Sequence, residues 1–219
     1  FGTAVHSILE NQTEGATEFK ETYVEMPVGN YKVSGRFDLY DAATQTITDY
    51  KTCSVWKIIH RDFDDWKKQL LIYAAIMDYI GFPVRHGQIV AVMKDHSKSK
   101  AKFDPTYPQL PVLQIRFDFS EADFAQINVF IRNRMAQIAD AEKLPDNELP
   151  VCTPKERFNG GDKFAVMKKG RKAALRVMES KEEAERWMEE NGGDFIQCRP
   201  GEDKKCKDYC PHEHVEGVK

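Results

Sequence analysis

Residues 31–40 and 45–52 are two strand-like runs on either side of the turn-forming stretch Asp41-Ala42-Ala43-Thr44, a pattern that specifies a β-hairpin. Within it, GRFD (residues 35–38) is followed by DYKT (residues 49–52). Pairing Asp41 with Thr44 across a two-residue turn sets Asp38 opposite Ile47, Arg36 opposite Asp49 and Ser34 opposite Lys51. Side chains alternate along a strand and paired residues point the same way, so Asp38, Asp49 and Lys51 share one face. In that register the two aspartates are diagonal neighbours, with backbones roughly 7–8 Å apart. An odd-length turn would reverse the parity and separate them.

Two carboxylates held this close repel, and burial raises the cost. A divalent cation removes it, and hard oxygen ligands suit Mg²⁺ or Mn²⁺. Such an ion acidifies a water and polarises a phosphate, which is what phosphodiester hydrolysis requires. Lys51, two residues after Asp49, is placed to hold the attacking water or to offset charge developing on phosphorus. The competing reading is a surface hairpin with an ordinary Asp–Lys pair. That accounts for a lone D-x-K better than for D-x-K joined to G-x-x-D.

The set GTAVH, GRFD, DYKT and the later QLLIY, spread over residues 2–80, resembles the PD-(D/E)XK nuclease superfamily. It is most similar to the branch containing the RecB nuclease domain, phage-type exonucleases and the CRISPR adaptation nucleases. The resemblance implies a restriction-endonuclease-like core and metal-dependent hydrolysis of DNA, exonucleolytic and of phage or recombination and repair type. It implies Asp38 and Asp49 as metal ligands, the main-chain carbonyl of Tyr50 as a third, and Lys51 as the catalytic lysine. His6, in the G-x-x-x-H position, becomes a further ligand, and an imidazole there favours Mn²⁺ over Mg²⁺. Glu10 lies one turn beyond His6 and would orient it or reach the metal through water, whereas Glu25 is not expected to be a direct ligand. Gln69 and Tyr73 fall in a Q-x-x-x-Y pattern that contacts DNA in the family. For Tyr73, which lies on an apolar stripe, helix packing competes with that role.

The rest of the chain reads as alternating helices and strands. Val5, Ile8 and Leu9 mark a helix over residues 2–10, and Asp62 is placed to cap one running to Ile80. Phe63, Trp66, Leu70, Tyr73, Met77 and Ile80 form the buried stripe of that second helix, which Gly81 and Pro83 end. Strands follow at 87–94 and 111–119, joined by a long polar loop. Ser120 caps a further helix with Phe124, Ile127, Ile131, Met135 and Ile138 inward, and Asp123 completes a capping box. The proline-rich stretch 145–154 reads as a linker. Beyond it the pattern is strand 163–168, a KKGRK turn, strand 173–178, a helix opened by Ser180 and strand 194–199. The expected fold is therefore α/β: a mixed central sheet of four or five strands flanked by helices over residues 1–146, with a small ββαβ module over residues 147–219.

Four of the five cysteines, Cys152, Cys198, Cys206 and Cys210, fall in that module, and His212 and His214 follow them. Without a secretory signal such clustering favours a metal site, zinc or an iron–sulfur cluster, over disulfides, and a cytoplasmic setting. Unliganded thiols are the competing reading. Cys53 is most simply a small buried apolar side chain. No apolar run approaches the roughly 18 residues that span a bilayer, so no membrane association is expected. The net charge of −3 does not announce a nucleic-acid binder. Two basic runs nonetheless stand out, Lys94/Lys98/Lys100/Lys102 and Lys168/Lys169/Arg171/Lys172, most simply as solvated turns. The chain begins with Phe rather than Met and reads as a fragment. Beside the exonuclease, two other functions fit: a non-catalytic nucleic-acid-binding module built on a structural metal, and a structure-selective endonuclease.

Overall fold

The computed structural model describes residues 17–210. The helix expected over residues 2–10, with His6 and Glu10, lies outside the described residues, as do His212 and His214. The chain divides into two compact units, Phe1–Ile138 and Ala139–Lys219.

The first unit is built on five strands: β1 (Glu18–Val28), β2 (Tyr31–Asp41), β3 (Thr46–Cys53), β4 (His86–Met93) and β5 (Val112–Asp118). They lie in sequence order across one sheet, and every neighbouring pair is antiparallel except β3 and β4. A parallel pair cannot be joined by a tight turn. Here α1 (Val55–Ile59) and α2 (Asp64–Tyr79) make the connection, and α2 packs across β1 to β4. In β4 the buried residues are Gly87, Ile89, Ala91 and Met93, alternating with half-exposed ones, so this central strand buries one face fully. Leu70, Ala74, Ile76, Phe37, Tyr40, Ile47 and Ile89 are among the core residues, each with at most 1% exposure. α3 (Lys98–Phe103) lies in the polar stretch between β4 and β5, and α4 (Glu121–Ala141) follows β5.

Most of the expected elements are present, and the departures have local causes. The segment before the hairpin is an eleven-residue strand, β1, whose alternation is masked because only Val24 and Met26 are buried along it. Helix α2 starts at Asp64 without a side-chain cap; Asp62 faces Lys57 instead, at 3.8 Å. Ile80 and Ile138, expected inward, are 40% and 37% exposed. Ile80 is past the last turn of α2, where the backbone turns out at Gly81 with φ +91°.

The second unit holds a three-stranded antiparallel sheet in the order β7-β6-β8, from β6 (Lys163–Met167), β7 (Arg176–Met178) and β8 (Phe195–Arg199). Between β7 and β8 runs α5 (Lys181–Asn191), whose first turn is capped by Ser180 Oγ accepting from Glu183 N at 3.1 Å. This is the ββαβ order expected. The short α6 (Lys204–Asp208) follows. Ala165 and Val166 of β6 and Ala184 of α5 are fully buried in this unit.

Candidate functional site

The hairpin is shifted by two residues from the expected register: Asp41 pairs with Thr46, Tyr40 with Ile47 and Leu39 with Thr48. Asp41 is the cause. Its carboxylate accepts from Ala43 N at 2.9 Å and from Thr44 Oγ1 at 2.7 Å, so Thr44 is held inside the turn. Gln45, at φ 51°, then closes a four-residue loop. An even shift keeps the parity. Extended one step past its last pair, this register would set Asp38 opposite Asp49 rather than diagonally.

They stand where the ladder ends. Backbone pairing between β2 and β3 stops at Leu39 and Thr48, one step before the two aspartates, and the strands fork. Asp38 fills the fork: its Oδ2 accepts from the main-chain N–H of Tyr50 at 2.7 Å, in place of a backbone carbonyl. On the other side of β2 the pairing with β1 is interrupted at the same level, between Glu21 and Asp38. Glu21 has φ 44°, and its carbonyl accepts from Arg36 Nη1 at 3.0 Å. Asp38 is thus set by irregular backbone on both flanks, a departure from sheet geometry of the kind that collects at functional sites.

Asp49 is the more deeply held of the pair, with 4% exposure in the middle of β3 and β4 at its side, paired with Ile89. Its Oδ2 lies 2.8 Å from Lys51 Nζ, yet that atom is buried without a hydrogen bond of proper angle. Lys51 therefore offsets the charge without satisfying the oxygen. Burial raises the Tyr50 phenol above its ordinary range, assisted by the Asp38 carboxylate and by Glu18. Cys53, two residues beyond Lys51, is buried as expected, and desolvation pushes its thiol up.

Helix α2 lies over this hairpin. Gln69 Nε2 donates to Tyr73 Oη at 3.1 Å, and both residues are half-buried. The Tyr73 ring sits against Gly35, where any Cβ would overlap Cε1. That explains the glycine of GRFD: it admits an aromatic ring beside the strand that carries Asp38. Tyr73 accordingly packs against the hairpin. A cleft of about 310 Å³ lies elsewhere, between α2 and α4, lined by Asp64, Lys67, Lys68, Asp123 and Phe130 among others. These α2 positions are roughly half a turn around the helix from Gln69 and Tyr73.

Glu25 is engaged away from the aspartates, with Lys32 and with Tyr23 Oη at 3.0 Å, and the lysine's hydrogen bond is what holds its carboxyl below the usual range. Asp95 was not anticipated. Its carboxylate accepts from Ser54 Oγ at 2.9 Å and Val55 N at 2.7 Å, tying the end of β4 to the segment leaving β3. Its partners lie 40 and 41 residues away, beyond any local pattern.

The described residues contain no group of three or more His, Cys, Asp or Glu side chains gathered to hold a metal. Cys152 and Cys198 are exposed, Cys206 and Cys210 are half-buried, and the four thiols are not brought together. At the hairpin the side-chain donors are the two aspartates. Two carboxylates suffice for a Mg²⁺-type ion that keeps waters and substrate oxygens in its other positions, and an unsatisfied buried Oδ2 is the donor such an ion would use. Among the described residues, no helix is long and apolar enough to cross a membrane.

No family model and no curated protein matches the chain. Among solved structures it is similar to one described as "Crystal structure of SSO0001", with 20% identity and a TM-score of 0.39. The match covers 62% of this chain and 59% of that one, so the chain spans less than two thirds of the protein it matches.

Proposed function

We propose that this protein is a divalent-metal-dependent deoxyribonuclease, an exonuclease acting on linear DNA, with Asp38, Asp49 and Lys51 as its cutting site. The observation that supports this most is the end of the hairpin ladder, where Asp38 accepts from Tyr50 N, Asp49 lies beside Lys51, and one buried Asp49 oxygen lacks a hydrogen bond. The GRFD and DYKT motifs and their likeness to the PD-(D/E)XK superfamily point the same way.

Asp38, Asp49 and the main-chain carbonyl of Tyr50 would hold Mg²⁺ or Mn²⁺, with His6 as a further donor. When bound, the ion supplies Lewis-acid polarisation of the phosphate and a more acidic water. The protein's own groups do the rest. The Tyr50 amide donates to Asp38 Oδ2 and orients its carboxylate in the fork. Lys51 is one-quarter exposed, so its ammonium reaches from Asp49 toward solvent, where it would orient the attacking water or face the non-bridging oxygens as charge builds on them. Gln69, half-buried on α2 over the same hairpin, would contact the DNA backbone.

The test is degradation of end-labelled linear duplex in Mn²⁺ by wild type, Asp49→Ala and Lys51→Ala. Each variant should lose on the order of 10²-fold or more. Equal activity in all three refutes the assignment. A covalently closed plasmid should survive, since only an endonuclease can open it.

A further inference from the structure

The site does not absorb the basic run at Lys94, Lys98, Lys100 and Lys102, which the structure places on an ordered excursion between β4 and β5. Strands β3 and β4 are parallel, with Lys51 level with Ala91 and Cys53 level with Met93. The excursion therefore leaves the sheet at the end toward which Lys51 lies, one strand over, or about 5 Å. Its two ends are pinned together by Met93 N donating to Pro111 O at 2.9 Å. Lys94 N donates to Cys53 O at 3.0 Å, and Asp95 binds Ser54 and Val55, so the base is also fastened to the segment leaving β3.

Inside, the excursion is tightly built. His96 Nε2 bonds Pro108 O at 2.7 Å, Ser97 N donates to Tyr107 Oη at 2.9 Å, and Tyr107 is 7% exposed. Ser97 Oγ caps α3 by accepting from Lys100 N. α3 turns lysines and an aromatic ring outward together. Lys98, Lys100 and Lys102 are exposed with no ion pair among the described residues, and Phe103 closes the helix with 80% exposure. Lys102 Nζ lies 5.7 Å from the Phe103 ring centroid. Unpaired lysines or one exposed aromatic are each ordinary. Fixed together on a braced loop, cations beside a ring are the two components of a single-strand platform: charge that follows a phosphate backbone, and a face on which a base stacks.

We propose that α3 and Phe103 form a docking platform for single-stranded DNA that feeds a frayed strand toward Asp38, Asp49 and Lys51. This rests on the nuclease reading for the identity of the strand. A duplex keeps its bases stacked on one another and offers Phe103 no free face, so the platform separates single strands and frayed ends from blunt duplex.

The experiment measures anisotropy of a fluorescein-labelled oligo(dT) and of a blunt duplex with the full chain in chelator, so that no cleavage occurs. Phe103→Ala should weaken oligo(dT) binding roughly tenfold, and Phe103→Trp should restore it. The duplex should be indifferent to both. Replacing Lys98, Lys100 and Lys102 with Ala should lower the salt slope for oligo(dT) by about 2, at ~0.7 per phosphate. The proposal is overturned if wild type does not bind oligo(dT), if Phe103→Ala binds it normally, if duplex loses as much, or if the slope does not change. Binding of the same surface to phosphatidylserine vesicles without binding to oligo(dT) would also overturn it. Metal-dependent cleavage is scored separately. Loop-dependent binding without cleavage sinks the nuclease reading alone, and cleavage without loop-dependent binding sinks only the platform.

Discussion

At Asp49 a carboxylate is almost wholly removed from water, and the cation that offsets it is Lys51 Nζ at 2.8 Å. The two ends of that pair are not equivalent. Asp49 is almost fully buried, whereas Lys51 is about one-quarter exposed on a long flexible stem. Removing the lysine strands a buried charge; removing the aspartate leaves an ammonium that turns outward. In chelator, Lys51→Ala should therefore destabilise the protein by about 3 kcal/mol, the low end for breaking a buried pair, and Asp49→Ala by clearly less. The double variant should be more stable than Lys51→Ala alone. Urea unfolding measures all three, and strictly additive losses would show that the pair carries no coupling.

At the scale of elements, a carboxylate of α4 reaches α2, beside the packing of Ile127 and Ile131 into the core and of Phe130 under Lys68. Asp123 accepts from Lys67 Nζ at 2.6 Å and completes the capping box with Ser120, whose N donates to Oδ2 at 2.9 Å and whose Oγ accepts from Asp123 N at 3.2 Å. The lysine's hydrogen bond first, and then those from Ser120, pull the Asp123 carboxyl down from 3.8 to about 2. A depressed carboxylate contributes stability in full above its unfolded value and loses it as pH falls through the folded one. The clamp should thus hold at pH 5 and weaken between 3.8 and about 2. Asp123→Asn should lower stability at neutral pH and flatten the acid limb across that window. A thermal-melt series in acid that is superimposable on wild type would rule the clamp out. The cap itself was legible in the sequence because Ser120 and Asp123 are three residues apart; Lys67, 56 residues away from Asp123, was not.

Over the whole molecule, each unit has its own sheet, and the candidate chemistry lies entirely in the first. A ligand that binds only the folded state stabilises it by mass action, about 2.7 kcal/mol at a hundredfold excess over its Kd. Adding Mn²⁺ or Mg²⁺ to chelator-treated protein should raise the melting temperature of this unit by several degrees. Asp38→Ala and Asp49→Ala should each abolish the rise. Scanning calorimetry reads the effect without any substrate, and an equal shift in wild type and both variants would place the ion elsewhere.

The sequence by itself determined the hairpin, the order of strands and long helices from Tyr31 onward and the capping box at Ser120, but not the short helices Val55–Ile59, Lys98–Phe103 and Lys204–Asp208, of which the second lies in what reads as a polar loop. Each feature it determined is written in residues a few positions apart: period-two alternation, helical spacing, a cap and its partner. Tertiary structure decided the rest. It made a strand of Glu18–Val28, whose pattern is too weakly buried to read, and set the register two residues from the expected one. It opened the fork at Leu39 and Thr48, buried Asp49, laid Tyr73 over Gly35 and braced Lys98–Phe103 against the end of the sheet. Those features depend on groups that meet only after the chain has folded back on itself. A carboxylate's spacing can be read from its neighbours in sequence, but its desolvation is set by neighbours in space.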